Sequence, residues 1–239
     1  MNPILTIAKK EYRDTFHSPI AYVFISVFLF LGFWLFFANF FVQGEASLRS
    51  FFSWVPVLFI VFLPSVTMGR WAEEKKSGTI EILLTQPITE PQVVLGKFLA
   101  VFFFSATAIL LTLPLAVTVG ILGNLDWGPV IGSYAGLFLA AGAYLAIGLF
   151  ISSLTENQIV AFILTVIALF ILYFLGAEIV LMYVPEFLSP LFAMASIYAH
   201  FESLSRGVID LRDILYYLSV AGFFILLNTM SLESRKWEA

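Results

Sequence analysis

Six stretches of this chain, residues 20–41, 51–69, 98–123, 130–151, 158–177 and 214–231, contain no Asp, Glu, Lys, Arg or His. An α-helix of about 20 apolar residues crosses the hydrocarbon core of a bilayer. Inside that core every backbone N–H and C=O must be satisfied within the protein, so such runs fold as helices. The expected fold is therefore an all-α membrane protein with six transmembrane helices. Composition agrees, since 61% of residues are hydrophobic and 12% charged, and a soluble domain carries roughly twice that charged share. A cleavable leader is not expected, because a charged segment of the first nineteen residues precedes a run long enough to span.

The basic residues orient the spans. With both termini in the cytoplasm, the inner side holds Lys9, Lys10, Arg13, Arg70, Lys75, Lys76, Lys97, Arg235 and Lys236, and the outer side only Arg49, Arg206 and Arg212. That asymmetry is the positive-inside pattern.

Several chemistries are excluded by residue type. Without cysteine there are no disulfides, thiolate metal sites or cysteine nucleophiles. Glu73-Glu74 superficially resembles the paired glutamates of intramembrane metalloproteases, but a catalytic metal takes about three protein ligands. The chain has two histidines, His17 and His200, expected on opposite sides of the membrane. No catalytic residue and no metal site are expected. Gly96-Lys97 is followed by Phe98, with no glycine-rich phosphate loop before it, so the chain does not hydrolyse nucleotide itself. The absence of ionisable groups within the spans speaks against ion-coupled carriage. A mildly acidic balance, 12 basic against 16 acidic residues, points to no nucleic-acid partner.

Residues 2–17, "NPILTIAKKEYRDTFH", predict an amphipathic helix started by Asn2 and Pro3 and ended by Ser18-Pro19. Leu5, Ala8, Tyr12 and Phe16 recur at helical spacing, with Lys9, Lys10 and Arg13 mostly elsewhere. Such a helix lies in the plane of the inner leaflet. Gly132, Gly136 and Ala140 form a stripe in the fourth run that lets a neighbouring backbone approach. Thr155 with Gln158 predicts a capping box before the fifth run. Pro114 offers a kink in the third. Residues 178–213 are too apolar for a plain outer loop. They predict short helices dipping back into the outer leaflet, with Gly207 as a C-cap and Asp210 capping the last span. Asn39, the polar exception in "FFANFF", could line a pathway or bond to a neighbouring helix.

The densest charge lies between the second and third spans, in "AEEKKSGTIEILLTQPIT", residues 72–89. The second helix is expected to run on to Lys76 and break at Ser77-Gly78. Thr79 then caps a short helix over 79–86, stopped by Pro87. Ile80, Leu83 and Leu84 share its apolar face, and Glu81 lies off it. About two turns, roughly 10 Å, with an apolar face beyond the lipid, suits a protein groove, although a helix lying flat on the membrane would also explain the pattern.

This stretch resembles the signature of ABC-2-type permeases, the membrane subunits of type-2 ABC exporters. "HSPIAYV", "LGKFLA", "SSLTENQIVA", "HFESLSRGVIDLRDILYYLS" and "SLESRKW" are similar to the gliding-motility-associated branch. The resemblance covers nearly the whole chain, without a sizeable outer domain. It implies a non-catalytic permease subunit of an ATP-dependent exporter in the bacterial cytoplasmic membrane. The segment 2–17 would be the interface helix, with Lys9, Lys10 and Arg13. The helix over 79–86 would be the coupling helix, seated in a separate ATPase subunit through Glu73, Glu74, Lys75, Lys76, Thr79, Glu81, Leu83 and Leu84. ATP and Mg would bind to that partner, and no cofactor to this chain. A second permease copy, or a larger related membrane subunit, would face it across the pathway. Other readings the residues leave open are a membrane subunit that scaffolds or signals in an envelope or motility machine, and a carrier or channel.

Overall fold

The structure, a computed structural model, describes residues 2–84, 87–208 and 210–236. The side chains of Asn39, Gln43, residues 82–84, Arg235 and Lys236 lie outside the described residues. The side-chain expectations for Asn39, Leu83 and Leu84, and the end of the 79–86 helix, fall there.

The described residues form helices and connecting turns, with no strand among them. The first helix, α1 (Pro3–His17), starts as expected: Asn2 accepts from the Ile4 amide at 3.1 Å. Ser18 ends it and, with Pro19, opens α2 (Pro19–Gln43). Next come α3 (Arg49–Thr67), α4 (Gly69–Lys76) and α5 (Thr79–Leu84), then α6 (Glu90–Leu110) and α7 (Leu113–Leu122). The rest comprises α8 (Trp127–Leu154), α9 (Gln158–Phe174), the short α10 (Glu178–Leu181), α11 (Ser189–Ala195) and α12 (Ile197–Ser205), and α13 (Leu211–Lys236).

Among the described residues, five segments are long and apolar enough to cross a membrane: Pro19–Val42, Arg49–Lys76, Glu90–Leu122, Trp127–Leu154 and Leu211–Ser234. The run 158–177 yields a shorter apolar helix, Gln158–Phe174, because the chain turns before Glu178. Boundaries also move. The third segment begins at Glu90, not Phe98, because Pro91 suits a first turn and the Thr89 amide donates to Gln92 Oε1 at 3.3 Å. Pro114 breaks the same segment one turn earlier, where its missing N–H and ring cannot join the preceding turn. There Thr112 Oγ1 donates to the Ile109 carbonyl at 2.6 Å and pairs with Tyr134 Oη at 3.0 Å.

The expected Thr155–Gln158 box does not form. Asn157 caps α9 instead, its Oδ1 accepting from the Ile159 amide at 2.9 Å, while the Gln158 carboxamide reaches away to Glu73. Asp210 does cap α13, accepting from the Arg212 amide at 2.9 Å.

At the centre stands α8, buried on every side around Tyr144, Leu145 and Ala146 and packed on α3, α4, α6, α9, α12 and α13. Its small residues make this possible. A Cβ at Gly132 would strike the Leu204 carbonyl, one at Gly136 would meet the Phe201 ring at 3.2 Å, and one at Gly148 would strike the Thr67 hydroxyl. The glycine stripe therefore serves contacts within the chain. The opposite case is α2, whose Val23, Val27, Phe30 and Trp34 are exposed, an outward apolar face that suits lipid.

Candidate functional site

The charges gather at one end of the bundle, where α1, α4, the start of α6, and the α8–α9 turn meet. The joint between α3 and α4 sets their positions. Ser152 Oγ, from α8, accepts from the Trp71 and Ala72 amides at 3.2 and 3.4 Å and donates to the Met68 carbonyl at 2.8 Å. A side chain inserted into a helix ladder in this way bends the helix, and it fixes where α4 points.

Lys97, on α6, is the centre of the cluster, with its side chain 2% exposed. Its Nζ lies 2.6 Å from Glu74 Oε1, 3.1 Å from the Arg70 carbonyl and 3.4 Å from Glu11 Oε1. An ammonium has three N–H groups, so all are engaged. The same Nζ sits 4.8 Å from the centre of the Trp71 ring, within reach of the ring's negative face. Arg70 completes the set: Nη1 meets Glu11 Oε2 at 3.1 Å, Nη2 donates to Thr15 Oγ1 at 2.6 Å, and Nε donates to the Val66 carbonyl at 3.3 Å. Two carboxylates thus balance two cations in a largely buried network, the condition under which buried charge is tolerated. Glu74 Oε2 and Trp71 Nε1 are buried without a partner.

The expected coupling residues divide into two groups. Glu74 and Lys75 are committed within the chain, Glu74 to Lys97 and Lys75, 7% exposed, to the Ser153 carbonyl. Glu73 is exposed yet accepts from Gln158. Lys76 and Glu81 are exposed. Thr79 is exposed and is the first residue of α5 rather than its cap, with Oγ1 2.9 Å from Ser77 Oγ. The turn before it needs Gly78, at φ 69°, a conformation that favours glycine. Ile80 is 5% exposed and packs into the core, so the apolar face of α5 is not wholly displayed. Lys9, Lys10 and Arg13 are exposed on α1, where Arg13 Nε donates to His17 Nε2 at 3.3 Å.

Glu11 and Lys97 were not apparent as site residues from the sequence. Glu11 stands four residues after Ile7 and three after Ala8, on the stripe that packs against α6. An acid at that spacing was the available signal. The close approach comes from Gly96, where a Cβ would lie 2.7 Å from Ile7 Cβ.

At the opposite end, a cavity of about 560 Å³ opens between the α2–α3 and α7–α8 turns and α12, bordered by Arg49, Asp126, Tyr198, Glu202 and Arg206. Burial first, and then the Glu202 carboxylate, push the Tyr198 hydroxyl above its usual pKa. Elsewhere on α12, His200 forms a buried pair with Asp213, Nδ1 to Oδ1 2.7 Å, with the imidazole stacked on Tyr216. Among the described residues, no group of His, Asp and Glu converges as a metal ion would require.

A bundle of long apolar helices, with a buried ionic cluster and a charged loop at one end, is a multi-pass membrane protein. The family described as ABC-2 family transporter protein matches residues 5–230. The chain belongs to that family, which places it among the membrane subunits of ABC transporters. No curated protein matches it.

Proposed function

We propose that this chain is the permease subunit of an ATP-dependent exporter in the bacterial cytoplasmic membrane, with both termini inside. In this reading the apolar helix α9 serves as a sixth span, and α10–α12 as re-entrant elements of the outer leaflet. A separate ATPase subunit, holding ATP and Mg, grips α5. A second permease copy, or a larger related membrane subunit, completes the pathway.

One observation carries the reading. The helix α5 hangs from α4, and α4 is tied by Glu74 to α6 and by Ser152 and Lys75 to α8. Glu73 ties it to α9, and the Lys97 ammonium brings in Glu11 of α1. A push on α5 therefore reaches four other helices through polar bonds, all of them at least partly shielded from water except the exposed one between Glu73 and Gln158. Buried networks of this kind have few alternative arrangements, so they transmit displacement rather than absorb it. The contact with the ATPase then falls to the groups left outward, Lys76 and Glu81, together with Leu83 and Leu84. The internal role of Glu74 and Lys75 is to anchor the loop.

The test is purification of the tagged chain from native membranes in mild detergent, with mass spectrometry of the proteins retained. A subunit with a phosphate-loop ATPase motif is expected, and it should be lost when Leu83 and Leu84 are both replaced by Asp while the chain stays monodisperse. No nucleotide-binding subunit with the wild-type chain, or equal recovery with the double variant, would overturn the assignment.

A further inference from the structure

Beside the ionic cluster, α1 and α6 enclose an open groove of about 490 Å³ lined by Leu5, Ala8, Lys9 and Tyr12 on one side and Phe103, Ala106, Thr107 and Leu110 on the other. Each set follows the spacing i, i+3, i+4, i+7, so each is a single stripe of its helix. The two stripes form the walls of a trough.

The polar groups in the trough are already satisfied by one another. Thr107 Oγ1 donates to the Phe103 carbonyl at 2.9 Å, which leaves Tyr12 Oη to donate to Thr107 Oγ1 at 3.1 Å. What remains available is apolar surface and one charge. Leu5, Phe103 and Leu110 are 59%, 49% and 50% exposed. Lys9, exposed, is the only charged residue lining it among the described residues. Lys10 and Arg13 stand exposed close by on the same helix. An occupant must therefore be apolar along its length, ask for no hydrogen bond within, and carry negative charge at one end.

We propose that the groove holds one phospholipid with an anionic headgroup, an acyl chain lying between the two stripes and the phosphate at Lys9 Nζ. Basic pockets between membrane helices on the cytoplasmic side bind anionic headgroups by this combination. Placing α1 at the inner leaflet rests on the topology of the proposed function. The lipid fills the trough between α1 and α6 beside the Glu11–Lys97 contact, so it braces the same helix pair that the ionic cluster joins.

Native mass spectrometry of the full chain, released from mild detergent after exchange into phosphatidylglycerol or phosphatidylcholine of matched chains, tests this directly. The wild type is expected to retain one phosphatidylglycerol in preference to phosphatidylcholine. Lys9→Gln should weaken that preference about fivefold, the share of one juxtamembrane cation. Lys10→Gln, outside the lining, should leave most of it. Ala106→Leu, which narrows the trough, should lower retention of both lipids without loss of monodispersity. Equal retention of the two lipids by the wild type, or equal effects of Lys9→Gln and Lys10→Gln, overturns the proposal. So does a mass corresponding to two copies of the chain that replaces the lipid adduct. Co-purification of an ATPase subunit is scored on the same samples: lipid selectivity lost with that subunit retained counts against the lipid site alone, and the reverse counts against the coupling role alone.

Discussion

The two ends of the bundle are held together by different physics. At the charged end, α1, α4 and α6 meet through Glu11, Arg70, Glu74 and Lys97, whose attraction depends on each partner being in place. At the opposite end, α12 is lodged against α8 because Gly132 and Gly136 leave room for the Leu204 carbonyl and the Phe201 ring. Two polar contacts, His200 with Asp213 and the Tyr217 hydroxyl donating to the Ile197 carbonyl at 2.9 Å, then join α12 to α13. The first end is held by charge and the second by shape. A charge network loses its balance when one member is removed. A packed glycine contact fails when anything is added.

Removing the central cation should produce the largest effect. Lys97→Met keeps the length and apolar stem of the side chain but leaves two carboxylates with one guanidinium. Breaking a buried pair from one side costs about 3–5 kcal/mol. The detergent-solubilised variant should therefore show a sharply lower thermal midpoint, or fail to yield folded protein. Lys97→Met combined with Glu74→Gln restores the balance with Arg70 and Glu11 and should recover part of the loss. A midpoint for Lys97→Met close to wild type would show that the network contributes little and that the charged end, too, is held by packing.

The glycine contacts give the next comparison. Gly132→Ala pushes a methyl at the backbone carbonyl of Leu204, and Gly96→Ala pushes one at Ile7 Cβ, which likewise moves only with its backbone. The helix α1, exposed along one face, can shift as a body, whereas α12 is enclosed by α8, α9 and α13. Overpacking typically costs about 1–3 kcal/mol. Gly132→Ala should fall at the upper part of that range and Gly96→Ala at the lower, read as thermal midpoints of the two variants side by side. The reverse order would mean that α12 yields more easily than α1, and the shape-held end would then be the softer one.

These contrasts explain which parts of the structure were legible in the sequence. Spans follow from charge-free runs, and caps such as Asn2 and Asp210 follow from residue type. Both are local properties, so they survive the step to three dimensions. The glycine stripe was legible as a close approach but not in its partner, because α12 arrives from sixty-odd residues further along the chain. The ionic cluster was the hardest to see. Glu11, Arg70 and Lys97 are ordinary charges beside apolar runs, and only the packing of α1 on α6 takes them out of water. Treating the charges of α4 as a single exposed group hid the fact that Glu74 and Lys75 turn inward. The Gln158 side chain was assigned to its own helix cap for a similar reason: its actual partner, Glu73, is remote in sequence.

The smallest expected effect concerns the His200–Asp213 contact at the shape-held end. His200 Nε2 lies 3.1 Å from the Met194 carbonyl, which can only accept, so that nitrogen carries a hydrogen. A single proton then lies between Nδ1 and Asp213 Oδ1, on the nitrogen as an ion pair or on the oxygen as a neutral hydrogen bond. Asn at position 213 can supply an N–H to a bare Nδ1, and so reproduces the neutral form while abolishing the charged one. Asp213→Asn is expected to stay within about 1 kcal/mol of wild type, the net worth of one ordinary hydrogen bond. Asp213→Ala, which leaves Nδ1 of the buried imidazole without its partner, should lose about 1–3 kcal/mol. Thermal midpoints of the two variants decide between the forms. Should Asp213→Asn lose as much as Asp213→Ala, the contact is ionic, and charge then holds both ends of the bundle.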